Sequence, residues 1–89
     1  MKLNPDFLVH ETGDGAILLA TGESEKRFHG VIKLNGTGLA IVKSLEEETS
    51  LEAIVSSLSK AYPLVKKEEL REDVSSFLKT LEEAGALAE

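Results

Sequence analysis

The sequence predicts an α+β fold in which a three-stranded antiparallel β-sheet precedes three helices. Short apolar segments separated by turn residues occupy the first 34 residues, which is typical of strands. After Asn35 the apolar residues recur every three or four positions, which is typical of helices. At 89 residues the chain is short enough that we expect a single domain, residues 1–89.

The first two strands are predicted to form a hairpin. The turn sequence Asn4-Pro5-Asp6 precedes the first strand, Phe7 to Thr12, and Ala16 to Ala20 returns as the second. Between them, Gly13-Asp14-Gly15 supplies residues that tolerate the positive φ angles of a tight turn. The polar segment Thr21 to Lys26 is predicted to be a loop.

The third strand is predicted over Arg27 to Leu34, where apolar and polar residues alternate. The alternation defines two faces, with Phe28, Ile32 and Leu34 on one and His29, Val31 and Lys33 on the other. Three short strands cannot hide both edges of their sheet, and an exposed edge offers unpaired amides and carbonyls to an extended peptide. The basic residues Lys26, Arg27 and Lys33 would either discourage aggregation at this edge or attract an acidic peptide.

Three helices are predicted from the remaining residues, near 36–46, 49–62 and 66–84. Asn35 is the expected N-cap of the first helix, and Thr49 with Glu52 forms the expected capping box of the second. Pro63 should end the second helix, because the residue before a proline is driven out of the helical region. Gly85 is the expected C-terminal cap of the third.

Each predicted helix has one apolar face. Its members are Leu39, Ile41, Val42 and Leu45 in the first helix, Leu51, Ile54, Val55, Leu58, Ala61 and Tyr62 in the second, and Leu70, Val74, Phe77, Leu78, Leu81 and Ala84 in the third. Beside the apolar face of the third helix runs a flank of short polar side chains. That flank comprises Glu69, Asp73, Ser76 and Thr80.

Composition narrows the possible functions. The net charge is −6, and duplex binding depends on neutralising phosphates with basic residues, which argues against a nucleic-acid ligand. Cysteine is absent, which fits a reducing compartment. The longest apolar run, Ala16 to Ala20, is far too short to cross a bilayer. We therefore expect a soluble cytoplasmic protein.

No segment carries a catalytic, metal-binding or cofactor-binding pattern. His10 and His29 fall on predicted strands, and a zinc site would need further ligands, so we interpret both as surface residues. Gly36-Thr37-Gly38 lacks the lysine and the spacing of a phosphate-binding loop and is better explained as a turn. We expect neither enzymatic activity nor a cofactor, and a small binding module is the natural inference.

Capping and apolar residues follow one another in a specific order along nearly the whole chain. They are Val31-Ile32-Lys33-Leu34-Asn35 with Gly38 and Ile41, Thr49 with Leu51-Glu52 and Ile54, Leu58 with Tyr62-Pro63, Asp73-Val74 with Phe77-Leu78 and Leu81, and finally Gly85 and Leu87. In order and spacing this set resembles the family of the pyrroloquinoline-quinone biosynthesis protein D. That family is a peptide-recognition domain shared by many pathways for ribosomally made, modified peptides.

The resemblance implies a winged-helix-like fold that binds a precursor peptide. In that family the leader segment of the precursor adds a strand to the third strand, lies against the third helix and is presented to a modifying enzyme, frequently a radical S-adenosylmethionine enzyme. Carried onto this chain, the peptide-binding residues would be Phe28, His29, Val31 and Lys33 on the strand, and Asp73, Ser76, Phe77 and Thr80 on the helix.

Two positions depart from the members of the quinone pathway. Those members tend to have Asp-Gly before the second helix and a tryptophan near the C-terminus, where this chain has Glu46-Glu47-Glu48 and Ala86-Leu87. Neither position is needed for the apolar faces or the caps. The resemblance therefore implies the fold and leaves the product of the pathway open.

Two other functions are compatible with three helices and a small sheet. A winged-helix DNA-binding regulator has this architecture, but its recognition helix should be basic, and here the third helix carries more acid than base. A non-catalytic dimerisation or scaffold domain would need only apolar burial at the sheet edge. An unoccupied edge would also permit a homodimer.

Overall fold

The computed structural model of the chain describes residues 1–28 and 30–88. In chain order its elements are β1 (Lys2–Leu3), β2 (Phe7–Thr12), β3 (Gly15–Ala20), β4 (Val31–Leu34), α1 (Gly36–Ser44), α2 (Leu51–Ala61), α3 (Lys67–Glu83) and β5 (Leu87–Ala88). The predicted α+β class is confirmed, as is the order in which a three-stranded antiparallel sheet precedes three helices.

The three-stranded sheet has the order β2-β3-β4. In the hairpin Phe7 pairs with Ala20 and Thr12 with Gly15, so both predicted strands are present and the second begins one residue early. Strand β4 pairs antiparallel with β3, from Leu19 opposite Val31 to Ala16 opposite Leu34. Within the described residues, β2 and β4 are therefore the two edges of this sheet.

The third strand is shorter than predicted, and the segment before it is not a plain loop. Gly22–Lys26 forms a short 3₁₀ helix, which Gly22 enters with the left-handed φ of 58°. This turn is fixed to the sheet, because the Ser24 hydroxyl donates to the Asp6 carboxylate at 3.0 Å. The Phe28 amide still bonds back to the Ser24 carbonyl at 2.9 Å, so the strand begins only at Val31.

A second, two-stranded sheet joins the two ends of the described chain. Strands β1 and β5 pair antiparallel, with Leu3 opposite Leu87. The Leu3 amide also bonds to the Leu45 carbonyl at 2.8 Å, which fixes β1 to the end of α1. Strands of two residues carry no recognisable periodicity, so the sequence did not predict this sheet.

Most helix ends lie where the capping residues placed them. The Asn35 side chain accepts a hydrogen bond from the Gly38 amide at 2.7 Å, which confirms the cap of α1. Tyr62, at φ −128° and ψ 69°, leaves the helical region before Pro63, and Gly85 takes a left-handed φ of 79° after α3.

The predicted capping box of α2 is wrong. Ser50 is the N-cap, and its hydroxyl accepts a hydrogen bond from the Ala53 amide at 3.2 Å. Thr49 instead lies beside the N-terminus of the chain, where its amide donates a hydrogen bond to the Met1 carbonyl at 2.9 Å. Glu52 forms an ion pair with Arg71 of α3 rather than reaching back to cap its own helix.

The core lies between the inner face of the sheet and the apolar faces of the helices. Its buried side chains are Phe7, Ala16, Leu18, Ala20, Leu34, Ile41, Val42, Leu45, Ile54, Val55, Leu58, Leu70, Val74, Leu78, Leu81 and Ala86. Ala61 and Tyr62 were predicted on the buried face of α2, but Ala61 is the exposed last residue of the helix and Tyr62 lies exposed beyond it. Phe77 is only partly buried at the margin of the core.

Candidate functional site

A cleft of about 380 Å³ lies between the first turns of α1 and one flank of α3. Its lining combines small, hydroxyl-bearing and apolar side chains with one carboxylate. The lining residues are Asn35, Thr37, Gly38, Ile41, Asp73, Ser76, Phe77 and Thr80.

Helix α3 builds one wall of the cleft by simple helical periodicity. Ser76 and Phe77 lie three and four positions after Asp73, and Thr80 lies four and three positions after them, so the four side chains share one side of the helix. The adjacent stripe, which includes Val74, is buried in the core and fixes the rotation of the helix. Asp73, Ser76 and Thr80 are exposed, so this wall presents a carboxylate and two hydroxyls around the ring of Phe77.

Helix α1 builds the opposite wall, where the ring of Phe77 lies beside Gly38. A Cβ atom on this buried glycine would lie 3.2 Å from the Asn35 Oδ1, 3.5 Å from the Phe77 Cζ and 3.6 Å from the Leu34 Cδ2. The ring of Phe77 therefore lies against backbone, at the point where β4 ends and α1 begins. Ile41, three residues after Gly38, adds an apolar side chain to the lining.

The strand residues predicted for the site lie outside this cleft. Val31, 54% exposed, and Lys33 lie on the outer face of the sheet, whereas Ile32 and Leu34 face inward. Phe28 is partly buried before the strand, where its ring centroid is 6.0 Å from that of Phe7. His29 lies outside the described residues.

The structure thus brings together the four predicted residues of α3, while Val31 and Lys33 lie on the outer face of the neighbouring edge strand. Sequence reasoning missed the contribution of α1, namely Asn35, Thr37, Gly38 and Ile41. One available sign was the pair of glycines at the start of that helix, since a glycine in a helix often permits a close approach of another chain segment.

The cleft is weakly acidic. Asp73 belongs to none of the ion pairs among the described residues, which join the Met1 amino group to Glu48, Lys26 to Glu23, Lys43 to Glu11 and Arg71 to Glu52. Helix α3 as a whole carries six acidic residues and three basic ones. The electrostatic environment therefore favours a neutral or basic ligand over an anionic one.

The arrangement is suited to binding an extended chain. Strand β4 is an edge strand, so alternate residues direct backbone N–H and C=O groups away from β3, and the strand runs directly into the cleft.

Within residues 1–28 and 30–88, no group of three or more His, Cys, Asp or Glu side chains could hold a metal ion. None of the described helices is long and apolar enough to cross a membrane.

Comparison with known proteins yields one family and two similar structures. The family model of coenzyme PQQ synthesis protein D (PqqD) matches residues 10–87. TbiB1 in complex with the TbiA(beta) leader peptide is similar over 100% of both chains, with a TM-score of 0.77 and 23% identity. Lasso peptide synthetase B1 complexed with the leader peptide has a TM-score of 0.77 and 26% identity, covering 99% of this chain and 96% of that one. Among curated proteins, none matches significantly.

Proposed function

This chain belongs to the family of coenzyme PQQ synthesis protein D, and we propose that it binds the leader segment of a ribosomally made precursor peptide and presents it to a modifying enzyme. The observation that carries this proposal is an unpaired strand edge, β4, which leads into a cleft walled by α1 and α3. Two proteins of similar fold, TbiB1 and lasso peptide synthetase B1, are complexed with leader peptides, which supports the same class of ligand here.

In the proposed complex the leader adds a fourth strand to the sheet. Its backbone would bond to the outward-facing N–H and C=O groups of β4, which gives affinity for any extended peptide. Side chains of a strand alternate between two faces, so one set of leader side chains would enter the cleft and the other would lie beside Val31 and Lys33. Specificity would come from the contacts that each set of leader side chains makes with the residues of this chain.

The proposed peptide-binding residues fall into two groups. On the helix side are Asp73, Ser76, Phe77 and Thr80, joined by Thr37 and Ile41 from the facing helix. On the strand side are Phe28, Val31, Lys33 and, from the sequence alone, His29. Phe28 would not line the cleft. It would contribute indirectly, by packing its ring against that of Phe7 just before the strand begins.

The chemistry would be supplied by the partner. We infer that this chain is a non-catalytic binding partner, and that the modifying enzyme is of the radical S-adenosylmethionine class that the family frequently serves. The DNA-binding alternative receives no support, because the helix that would enter the major groove carries twice as many acidic as basic residues.

Substitution of Ser76 by tryptophan tests the proposed groove. Ser76 is exposed and lines the cleft, so the indole should fill the cleft without disturbing the core, and leader affinity should fall by about tenfold or more. The probe is the leader peptide encoded by a precursor gene beside the gene for this chain, titrated by calorimetry. Ser75→Trp is the matched control, since Ser75 is also exposed and does not line the cleft.

Circular dichroism and thermal unfolding should show that both variants remain folded. If Ser76→Trp binds the leader as tightly as the unsubstituted chain, the peptide does not occupy this cleft. If Ser75→Trp loses affinity to the same degree, the effect is not specific to the proposed groove.

A further inference from the structure

Asp73 is the one charged side chain among the residues that line the described cleft. It is exposed and forms no ion pair with any described residue. The remaining polar lining consists of an amide and three hydroxyls, from Asn35, Thr37, Ser76 and Thr80. A ligand that enters the cleft therefore meets a single negative charge beside an apolar ring.

The basic residues of α3 are poorly placed to neutralise Asp73. Successive residues of a helix are rotated by about 100°, so Lys67 and Lys79, each six positions away, project roughly 120° around the axis from it. Arg71 is occupied by its ion pair with Glu52 of α2. Lys66, on the same side of the helix, lies about 10 Å away along the axis.

The spacing of the cleft residues also matches that of an extended peptide. Asp73 and Phe77 are four residues apart on α3, which separates them by about 6 Å along the helix axis. In a strand, side chains that share a face are two residues apart, or about 6.6 Å. In a leader that runs along α3, one side chain can therefore meet Asp73 while the side chain two positions away meets Phe77.

We infer that the leader carries a lysine or arginine two positions from an apolar residue, with both side chains directed into the cleft. This inference rests on the proposed function and specifies its ligand. The apolar residue covers Phe77 and Ile41, and the aliphatic stem of the basic residue lies along the wall while its charged head reaches Asp73. Peptide binding excludes water from the pair and so reduces the screening of its charges.

A synthetic array of extended peptides tests the inference. All members carry a leucine at one fixed position, and the residue two positions away is lysine, arginine, glutamine or glutamate. The unsubstituted chain should bind the basic members roughly three- to tenfold more tightly than their glutamine counterparts. Asp73→Asn should abolish that preference, so that the basic and glutamine members bind the variant with equal affinity.

Glu72→Gln is the matched control. It removes the same charge from the adjacent position of α3, which is exposed and does not line the cleft, so the preference for basic members should persist. The preference should also weaken as salt is raised, because the pair lies near the surface.

The possible outcomes separate the inference from the proposed function. Equal binding of basic and glutamine members by the unsubstituted chain would overturn the inference and leave leader binding intact. If the Asp73→Asn variant still prefers the basic members, another carboxylate is responsible for that preference, and the inference is overturned as well. If the leader peptide itself does not bind this chain, both the inference and the proposed function fail.

Discussion

At the scale of single residues, the cleft depends on Asn35 and Gly38. Asn35 caps α1 through the Gly38 amide, and a Cβ atom on Gly38 would lie only 3.2 Å from the Asn35 Oδ1 that makes this cap. Both residues also line the cleft, so the start of α1 is both a stability element and a wall of the proposed groove. Loss of the capping oxygen at position 35, or addition of a side chain at position 38, should therefore be poorly tolerated.

Asn35→Ala should lower the free energy of unfolding by about 1 kcal/mol, because the orphan amide of Gly38 loses its acceptor. Asn35→Asp should stay near the unsubstituted value, since a carboxylate caps equally well and favours the positive end of the helix dipole. Urea unfolding of the three proteins measures both differences. Equal stability of Asn35→Ala and the unsubstituted chain would mean that the cap hydrogen bond contributes nothing.

At the scale of elements, the beginning of α2 distinguishes two neighbouring capping residues. Ser50→Ala should lower the free energy of unfolding by about 1 kcal/mol, because the Ser50 hydroxyl accepts a hydrogen bond from the Ala53 amide. Thr49→Ala should cost less than about 0.5 kcal/mol, because only its backbone is engaged, with the amide donating to the Met1 carbonyl and the carbonyl accepting from the Met1 amino group. Thermal unfolding measures the stability of both variants. A larger loss of stability for Thr49→Ala than for Ser50→Ala would mean that Thr49 caps the helix, as the sequence suggested.

The same pair of residues shows what the sequence can and cannot specify about an element. Thr49 and Ser50 are both competent N-caps, so local chemistry predicts the helix but leaves its first residue undecided. A long-range hydrogen bond to Met1 holds Thr49 outside the helix. Strand β4 was likewise overextended, because the contact between Ser24 and Asp6 that holds the preceding 3₁₀ turn joins residues far apart in sequence.

At the scale of the whole molecule, alternating and helical patterns were sufficient for the α+β class and the element order. Those patterns state which face of an element is buried, but they do not state which elements converge. Helical spacing therefore predicted the polar flank that includes Asp73, Ser76 and Thr80, and the family resemblance implied that this flank borders a groove. The packing of α1 against it emerged only from the fold. The pairing of Leu3 with Leu87 is the same kind of long-range contact.

The charge of the molecule is also distributed unevenly between its two halves. Residues 1–35 carry four basic and five acidic groups, so most of the net charge of −6 belongs to the helical half. A leader peptide between β4 and α3 would lie at the boundary of these halves. Its affinity should therefore depend on both backbone pairing at the strand and side-chain contacts at the helix.

The most direct test of the central claim is a map of backbone amide chemical shifts. The leader peptide encoded by the precursor gene beside the gene for this chain is titrated into the isotopically labelled protein. Addition of a strand should perturb amides of β4, residues 31–34, together with those of α3 from Asp73 to Thr80 and the first turn of α1. Perturbations confined to α2 or to the loop at Glu46, with β4 unchanged, would contradict the account.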